Sequence, residues 1–267
     1  MLNKINHRFH LVDASPWPFF TSISAFTMLF GSVMYMGFFI EGSLLLKLGL
    51  ICVILNSACW WRDIVREGTF DGFHQKKVQK GLRLGMILFI ISEVMFFFGF
   101  FWAYFHASLS PAMELGGVWP PVGIYAFDPW GVPFFNTLLL LFSGAAITWA
   151  HHSIDLLKYN EGILSFILTI FLAIIFTLVQ VKEYREAPFS IADGVYGSSF
   201  FMATGFHGFH VIVGTTFIIV MFIRYFFRHF DNNHYIGFES AAWYWHFVDV
   251  VWLFLFISIY WWGGLNI

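Results

Sequence analysis

Seven stretches of this chain, near residues 16–40, 43–61, 82–107, 134–156, 162–182, 198–227 and 238–262, run for about 20 residues or more with very few charges. An apolar helix of roughly 20 residues crosses a ~30 Å hydrocarbon layer. In that layer a chain must satisfy its own backbone hydrogen bonds, which leaves helices or a closed barrel. Runs of this length predict an all-α polytopic membrane protein with seven transmembrane helices. Composition agrees: 59% of the 267 residues are hydrophobic and 11% charged, against about 25% charged in soluble domains. The net charge of -2 supplies no basic surface for nucleic acid. With no long polar segment to act as a linker, the chain reads as one membrane domain.

The ends of the spans carry interface residues. The first opens with Ser15-Pro16-Trp17-Pro18, and the last closes with Tyr260-Trp261-Trp262-Gly263-Gly264. Proline suits the first helical turn, tryptophan and tyrosine the headgroup layer, and glycine the residues after a helix. Basic residues are sorted by side. Lys4, Arg8, Arg62, Arg66, Lys76, Lys77, Lys80, Arg83, Lys158, Arg224 and Arg228 fall on the N-terminal side, and only Lys47, Lys182 and Arg185 on the other. The positive-inside rule then sets the N-terminus in the cytoplasm or mitochondrial matrix, with the Pro- and Gly-rich loop 108–133 on the outside.

Cys52 and Cys59 are separated by about 10 Å along one helix, too far for a disulfide. The N-terminus has neither a transit-peptide pattern nor a signal-peptide cleavage site. A mitochondrial chain of this kind is expected to be made inside the organelle, and the excess of Phe and Ile over Ala favours a mitochondrial genome. Residues 62–81, with Arg62, Asp63, Arg66, Glu67, Asp71, His74, Lys76, Lys77 and Lys80, read as a charged inner-side loop. That loop divides the chain into residues 1–61 with the first two spans and residues 82–267 with the other five.

Within the spans, Glu93 stands out as an acid among Ile90, Ile91 and Phe96-Phe97-Phe98. A charged carboxylate at that depth costs several kcal/mol unless it is protonated or paired. It is a candidate proton-relay group, or equally a protonated acid bonded to a neighbouring helix. His207 and His210 share one face at i, i+3, a spacing repeated by His246 and Asp249. Two readings compete: a bis-histidine metal or haem site, and interhelical hydrogen bonding. The absence of a third strong ligand motif favours the second. Gly205, Gly208 and Gly214 on the sixth span, with Gly144-Ala145-Ala146 on the fourth, are expected to let helix backbones approach closely. Arg66, Lys76, Lys77, Arg224 and Arg228, with His74 and His229, are suited to anionic headgroups, although topology alone would account for most of them.

Several longer strings are more specific. HLVDASPWPFF at 10–20, WWRD at 60–63, GLRLGMILFIISE at 81–93, FFWAYFHASLSP at 100–111, ELGGVWPP at 114–121, SGAAITWAHH at 143–152, FHGFHVIVGT at 206–215 and FESAAWYWHFVDVVWLFLFISIYWWG at 238–263 occur in order. Together they resemble the cytochrome c oxidase subunit III family from about residue 7 to residue 264.

That resemblance implies a two-plus-five arrangement of helices in a V, with phospholipids in the cleft. It puts the family's buried carboxylate, known for its reactivity toward carbodiimide, on Glu93 and its headgroup residues on Trp61, Arg66, Glu67, His74, Arg224 and His229. It implies a chain without haem or copper of its own, so that His207, His210, His246 and Asp249 are packing groups and the redox metals belong to subunits I and II. The implied function is support of an oxidase that passes electrons from cytochrome c to oxygen and pumps protons, by stabilising subunit I and sustaining proton uptake. Its home would be the mitochondrial inner membrane, or a bacterial plasma membrane. Phe73-His74 and Asn233-His234 depart from the paired histidines of many members, and Ser190-Ile191-Ala192-Asp193 from the commoner Thr-Ile-Ser-Asp. Three rival readings are a quinol-oxidase subunit III, a self-sufficient haem or metal enzyme using His207, His210 and His246, and a proton-coupled transporter centred on Glu93. Quinol relatives typically lack the first two spans.

Overall fold

A computed structural model describes residues 10–230 and 235–264. Lys4, Arg8 and the Asn233-His234 pair lie outside the described residues. Seven helices are long and apolar enough to cross a membrane: α1 (Trp17–Met36), α2 (Gly42–Thr69), α3 (Lys76–Leu109), α4 (Val132–Asp155), α5 (Tyr159–Glu186), α6 (Gly194–Phe226) and α7 (Ile236–Leu255). A π-helical turn, Phe256–Trp261, continues α7. No strand occurs among the described residues.

The apolar runs set where helices exist, while charges did not set where they stop. Residues 62–69 and 76–81 are helical, so the expected charged loop shrinks to 70–75. The physical reason is that a charged residue ends the favourable stay in hydrocarbon but not the intrahelical hydrogen-bond ladder. Arg, Lys and Glu are good helix formers, and α2 runs on through Arg62, Arg66 and Glu67 before it ends at Thr69.

The chain divides into two compact units, residues 1–82 and 83–267, with the boundary inside α3. In the first, α1 and α2 form a helical hairpin joined by residues 37–41, where Phe38 takes a left-handed φ of 61°. Its seam is built from small residues. Gly31, Gly42 and Gly49 are buried, and a Cβ on any of them would run into backbone of the opposite helix, at Leu46, Tyr35 and Met28 respectively. Two polar contacts close the seam: Asn56 donates to Ser24 Oγ at 2.9 Å and the Trp17 indole to Asp63 Oδ2 at 2.6 Å. In lipid, where burial of apolar surface gives no advantage, such close approach and interhelical hydrogen bonding are what hold helices together.

The second unit is organised around α7. Its Trp245 and Trp252 are fully buried and their indoles donate to α4, to Ser143 Oγ and Thr137 Oγ1, both at 2.9 Å. Gly214 of α6 makes room for the Trp245 ring, which lies 3.0 Å from where a Cβ would stand. Gly144 serves α7 in the same way, beside Asp249 Oδ2 at 3.1 Å. Gly205 and Gly208 do not fulfil the expected role: nothing lies within 4 Å of a Cβ at either position. α3 joins its unit through long side chains, of which Arg83 is one: it grips Glu239 of α7 with Nε at 2.8 Å and Nη2 at 3.2 Å.

Candidate functional site

Glu93 falls at the middle of α3, and the fold supplies a partner from α6. His210 Nε2 lies 2.9 Å from Glu93 Oε2, with the two side chains 8% and 22% exposed. The other ring nitrogen, Nδ1, lies 2.6 Å from the carbonyl oxygen of Phe206. A carbonyl can only accept, so Nδ1 carries a hydrogen. The Nε2 to Oε2 contact therefore holds a single proton, placed either on the carboxyl group or on the imidazole. In both placements the pair is neutral as a whole, which is what a low-dielectric site demands. Phe97 stands edge-on to the His210 ring at 5.0 Å, and Phe96 and Tyr244 flank it at 6.1 and 6.3 Å. The arrangement is a carboxyl–imidazole pair wrapped in aromatic rings.

His207, one turn away, does something different. It is 1% exposed, and its Nε2 donates to the Val248 carbonyl of α7 at 3.1 Å while the ring packs on Trp252 and Phe176. The two histidines thus share a helix face but not a ligand. His246 Nε2 lies 3.3 Å from Thr148 Oγ1 on α4. Asp249 is buried, and its Oδ1 has no hydrogen-bond partner among the described residues.

Glu93 is not the most enclosed acid. Glu183 of α5 is 3% exposed, and its Oε1 accepts from Tyr260 Oη at 2.6 Å and from Gln180 Nε2 at 3.1 Å. Gln180 in turn accepts from Asn136 Nδ2 of α4 at 3.1 Å. This network ties α4, α5 and the π-helical turn together. The predicted fifth span, 162–182, stops one residue short of Glu183, whereas α5 runs on to Glu186. The i, i+3 pairing of Gln180 and Glu183 was the available signal. Tyr260→Phe removes the shortest of these bonds and is expected to cost about 0.5–1.5 kcal/mol, the usual net worth of a hydrogen bond. Thermal unfolding of the variant in detergent measures this, and an unchanged midpoint would show the bond to be idle.

The six expected headgroup residues divide between the units. Trp61, Arg66, Glu67 and His74 belong to the first. Trp61 is 63% exposed on α2, and Arg66 is exposed on the same helix. His74, in the turn before α3, is half-buried, with its Nδ1 2.7 Å from where a Gly68 Cβ would stand. Glu67 lies 3.5 Å from His10 Nε2. Arg224 and His229 belong to the second unit. The Arg224 guanidinium lies over the Phe230 ring at 4.7 Å. Burial, and secondarily the charge of Arg224, hold His229 below the usual histidine range, so it is neutral at physiological pH. Nearby, Tyr235 donates to Asp155 Oδ1 at 2.7 Å, and burial with that bond pushes its phenol up to about 12.

Among the described residues, one grouping of His, Cys, Asp and Glu is close enough to hold a metal ion: His10, Glu67 and His74. Sequence reading found no metal site. These three groups come from the segment before α1, the end of α2 and the turn before α3, so no local spacing reveals them.

Seven membrane-crossing helices, a carboxyl–imidazole pair buried between two of them and an aromatic core define an integral membrane protein of the polytopic α-helical class. Comparison with known proteins narrows this. The family model for cytochrome c oxidase subunit III matches residues 7–264. The cytochrome c oxidase subunit 3 of Arabidopsis thaliana is 58% identical over 265 residues, covering 99% of this chain and 100% of that protein. The subunit 3 of Marchantia polymorpha is 59% identical over 258 residues, 97% of each chain. The subunit 3 of Dugong dugon is 58% identical over 258 residues, 97% of this chain and 98% of that one. The chain belongs to the cytochrome c oxidase subunit III family. It is accordingly a component of the oxidase complex and an inner-membrane protein, as the resemblance read from its strings implied.

Proposed function

We propose that this chain supports the oxidase as a core subunit with no redox metal of its own, stabilising subunit I and sustaining proton uptake through the Glu93–His210 pair, with its basic helix ends in the mitochondrial matrix. The 2.9 Å contact between Glu93 and His210 carries this reading. A purely structural acid needs only a donor. Here the partner is itself a proton acceptor, held by Phe206 in the one orientation that lets a proton pass between the two groups. Electron transfer from cytochrome c to oxygen belongs to haem and copper in subunits I and II. Glu93→Gln keeps the hydrogen bond to His210 and removes the transferable proton. The assembled oxidase carrying it is expected to retain its subunits while its proton uptake slows or its turnover lifetime shortens. Wild-type behaviour in both would make Glu93 a structural acid.

A second role is phospholipid binding at the basic helix ends, favoured by one observation: Arg224 and His229 come together at the end of α6, with the guanidinium stacked on Phe230. Neutral His229 would donate a hydrogen bond to a headgroup, and Arg224 would supply charge to its phosphate. Trp61, Arg66, Glu67 and His74 would hold headgroups in the first unit, Arg66 supplying charge to the phosphate, Trp61 and His74 donating hydrogen bonds and Glu67 accepting one. Arg224→Ala is expected to lower the phospholipid retained by the purified complex. Unchanged lipid content would remove this role.

A further inference from the structure

We infer that Glu183 is a proton-binding site: its carboxyl group stays neutral, with the hydrogen on Oε2, and so latches the π-helical turn to α4 and α5. The two carboxyl oxygens have unlike surroundings. Oε1 accepts from Tyr260 Oη at 2.6 Å and from Gln180 Nε2 at 3.1 Å, while Oε2 is buried with no hydrogen-bond partner among the described residues. An ionised carboxylate has two equivalent oxygens that both call for donors. A carboxylic acid has one carbonyl oxygen with two lone pairs and one oxygen that carries the hydrogen. Two donors on Oε1 and none on Oε2 is the pattern of the acid.

The charges around the group point the same way. None of the ion pairs among the described residues includes Glu183. The other elements turn uncharged groups toward it: Tyr260 from the π-helical turn and, through Gln180, Asn136 from α4. On α5 itself Tyr184 is a phenol packed on Phe201 of α6, Arg185 is exposed, and Lys182 is exposed beside Glu186 at 3.8 Å. Glu183 also stands in the last turn of α5, and the C-terminal end of a helix carries roughly half a negative charge, which disfavours an anion. A buried carboxylate without a cation takes up a proton instead. Asn136 Oδ1, in the same network, is an acceptor without a donor. A hydrogen on Oε2 adds a donor there, whereas ionisation would add another unmet acceptor.

The proton matters to the fold because the chain from Asn136 through Gln180 and Glu183 to Tyr260 joins three elements. Losing it would set a bare charge against the buried Tyr260. An unfolded chain gives up this proton at neutral pH, so the fold binds more protons than the unfolded state and the latch weakens as pH rises. The site is separate from Glu93, which pairs with His210 of α6, and does not depend on the proton role given to that pair.

Infrared spectra of the assembled oxidase at neutral pH, where an exposed glutamate is ionised, test the site. The difference between wild type and Glu183→Gln is expected to show the loss of a carboxylic-acid C=O band. Loss of carboxylate stretching bands, or of neither kind, would overturn the inference. Tyr260→Phe keeps the carboxyl group and removes one of the two donors to its carbonyl oxygen, so the same band is expected to persist and move to higher frequency. A band that vanishes or stays in place in that variant would overturn it as well.

Discussion

His210→Leu destabilises the protein by about 3 kcal/mol, while Glu93→Leu combined with His210→Leu recovers most of that loss. Removing the imidazole alone strands a carboxyl group in the middle of α3, among Phe96, Phe97 and Tyr244. An isolated ionised acid at that depth costs roughly 2.5–3.5 kcal/mol on insertion scales, and breaking a buried pair from one side typically costs about 3–5 kcal/mol. Should Glu93 take up a proton instead, an unsatisfied carboxylic acid still costs about 1–3 kcal/mol. Removing both partners deletes the unmet demand along with the bond, which is why the double variant is the milder one. Denaturation of the single and double variants in detergent gives the coupling directly. Simple additivity of the two single changes would mean that the 2.9 Å contact does not act as a pair.

Gly49→Leu opens the α1–α2 hairpin, while Gly85→Leu leaves the protein unchanged. At Gly49 a side chain would occupy the space of the Met28 backbone, and no rotamer of a neighbour can relieve a clash with main chain. The two helices must separate, which also pulls apart the Asn56–Ser24 and Trp17–Asp63 bonds. Overpacking ordinarily costs about 1–3 kcal/mol, and a clash that breaks a whole seam belongs at the upper end. Gly85, on α3, has nothing within 4 Å of its Cβ position, so leucine there meets no neighbouring atom of the described chain. Thermal unfolding or limited proteolysis of the two variants distinguishes them. Matching behaviour would show that small residues do not hold the hairpin together.

What could be read in advance followed the physics that each residue reports. Glu93 was conspicuous because an acid between Ile91 and Phe96 violates its surroundings locally. Glu183 was not, since it stands three residues before Glu186 at a helix end where acids are ordinary, and only the approach of Tyr260 and Gln180 encloses it. The glycines show the same divide. Of the glycines expected to admit a neighbour, Gly144 and Gly214 do admit α7, but Gly205 and Gly208 lie open, and the tight seam falls at Gly31, Gly42 and Gly49, where no close approach is expected. A glycine marks where close approach is permitted; which face meets a neighbour depends on the packing of the whole unit.

The amino-acid sequence by itself determined that seven apolar helices must cross a membrane, because hydrocarbon of fixed thickness leaves a 20-residue apolar run no other way to satisfy its backbone. It also determined family membership, through strings spread over nearly the whole chain. Tertiary structure alone decided the partners: His210 for Glu93, a carbonyl for His207, Tyr260 for Glu183, and His10 beside Glu67 and His74. Each of these pairings joins residues distant in sequence across a gap of a few ångströms. That distance is set by how helices pack against one another, and no periodicity within a single helix encodes it.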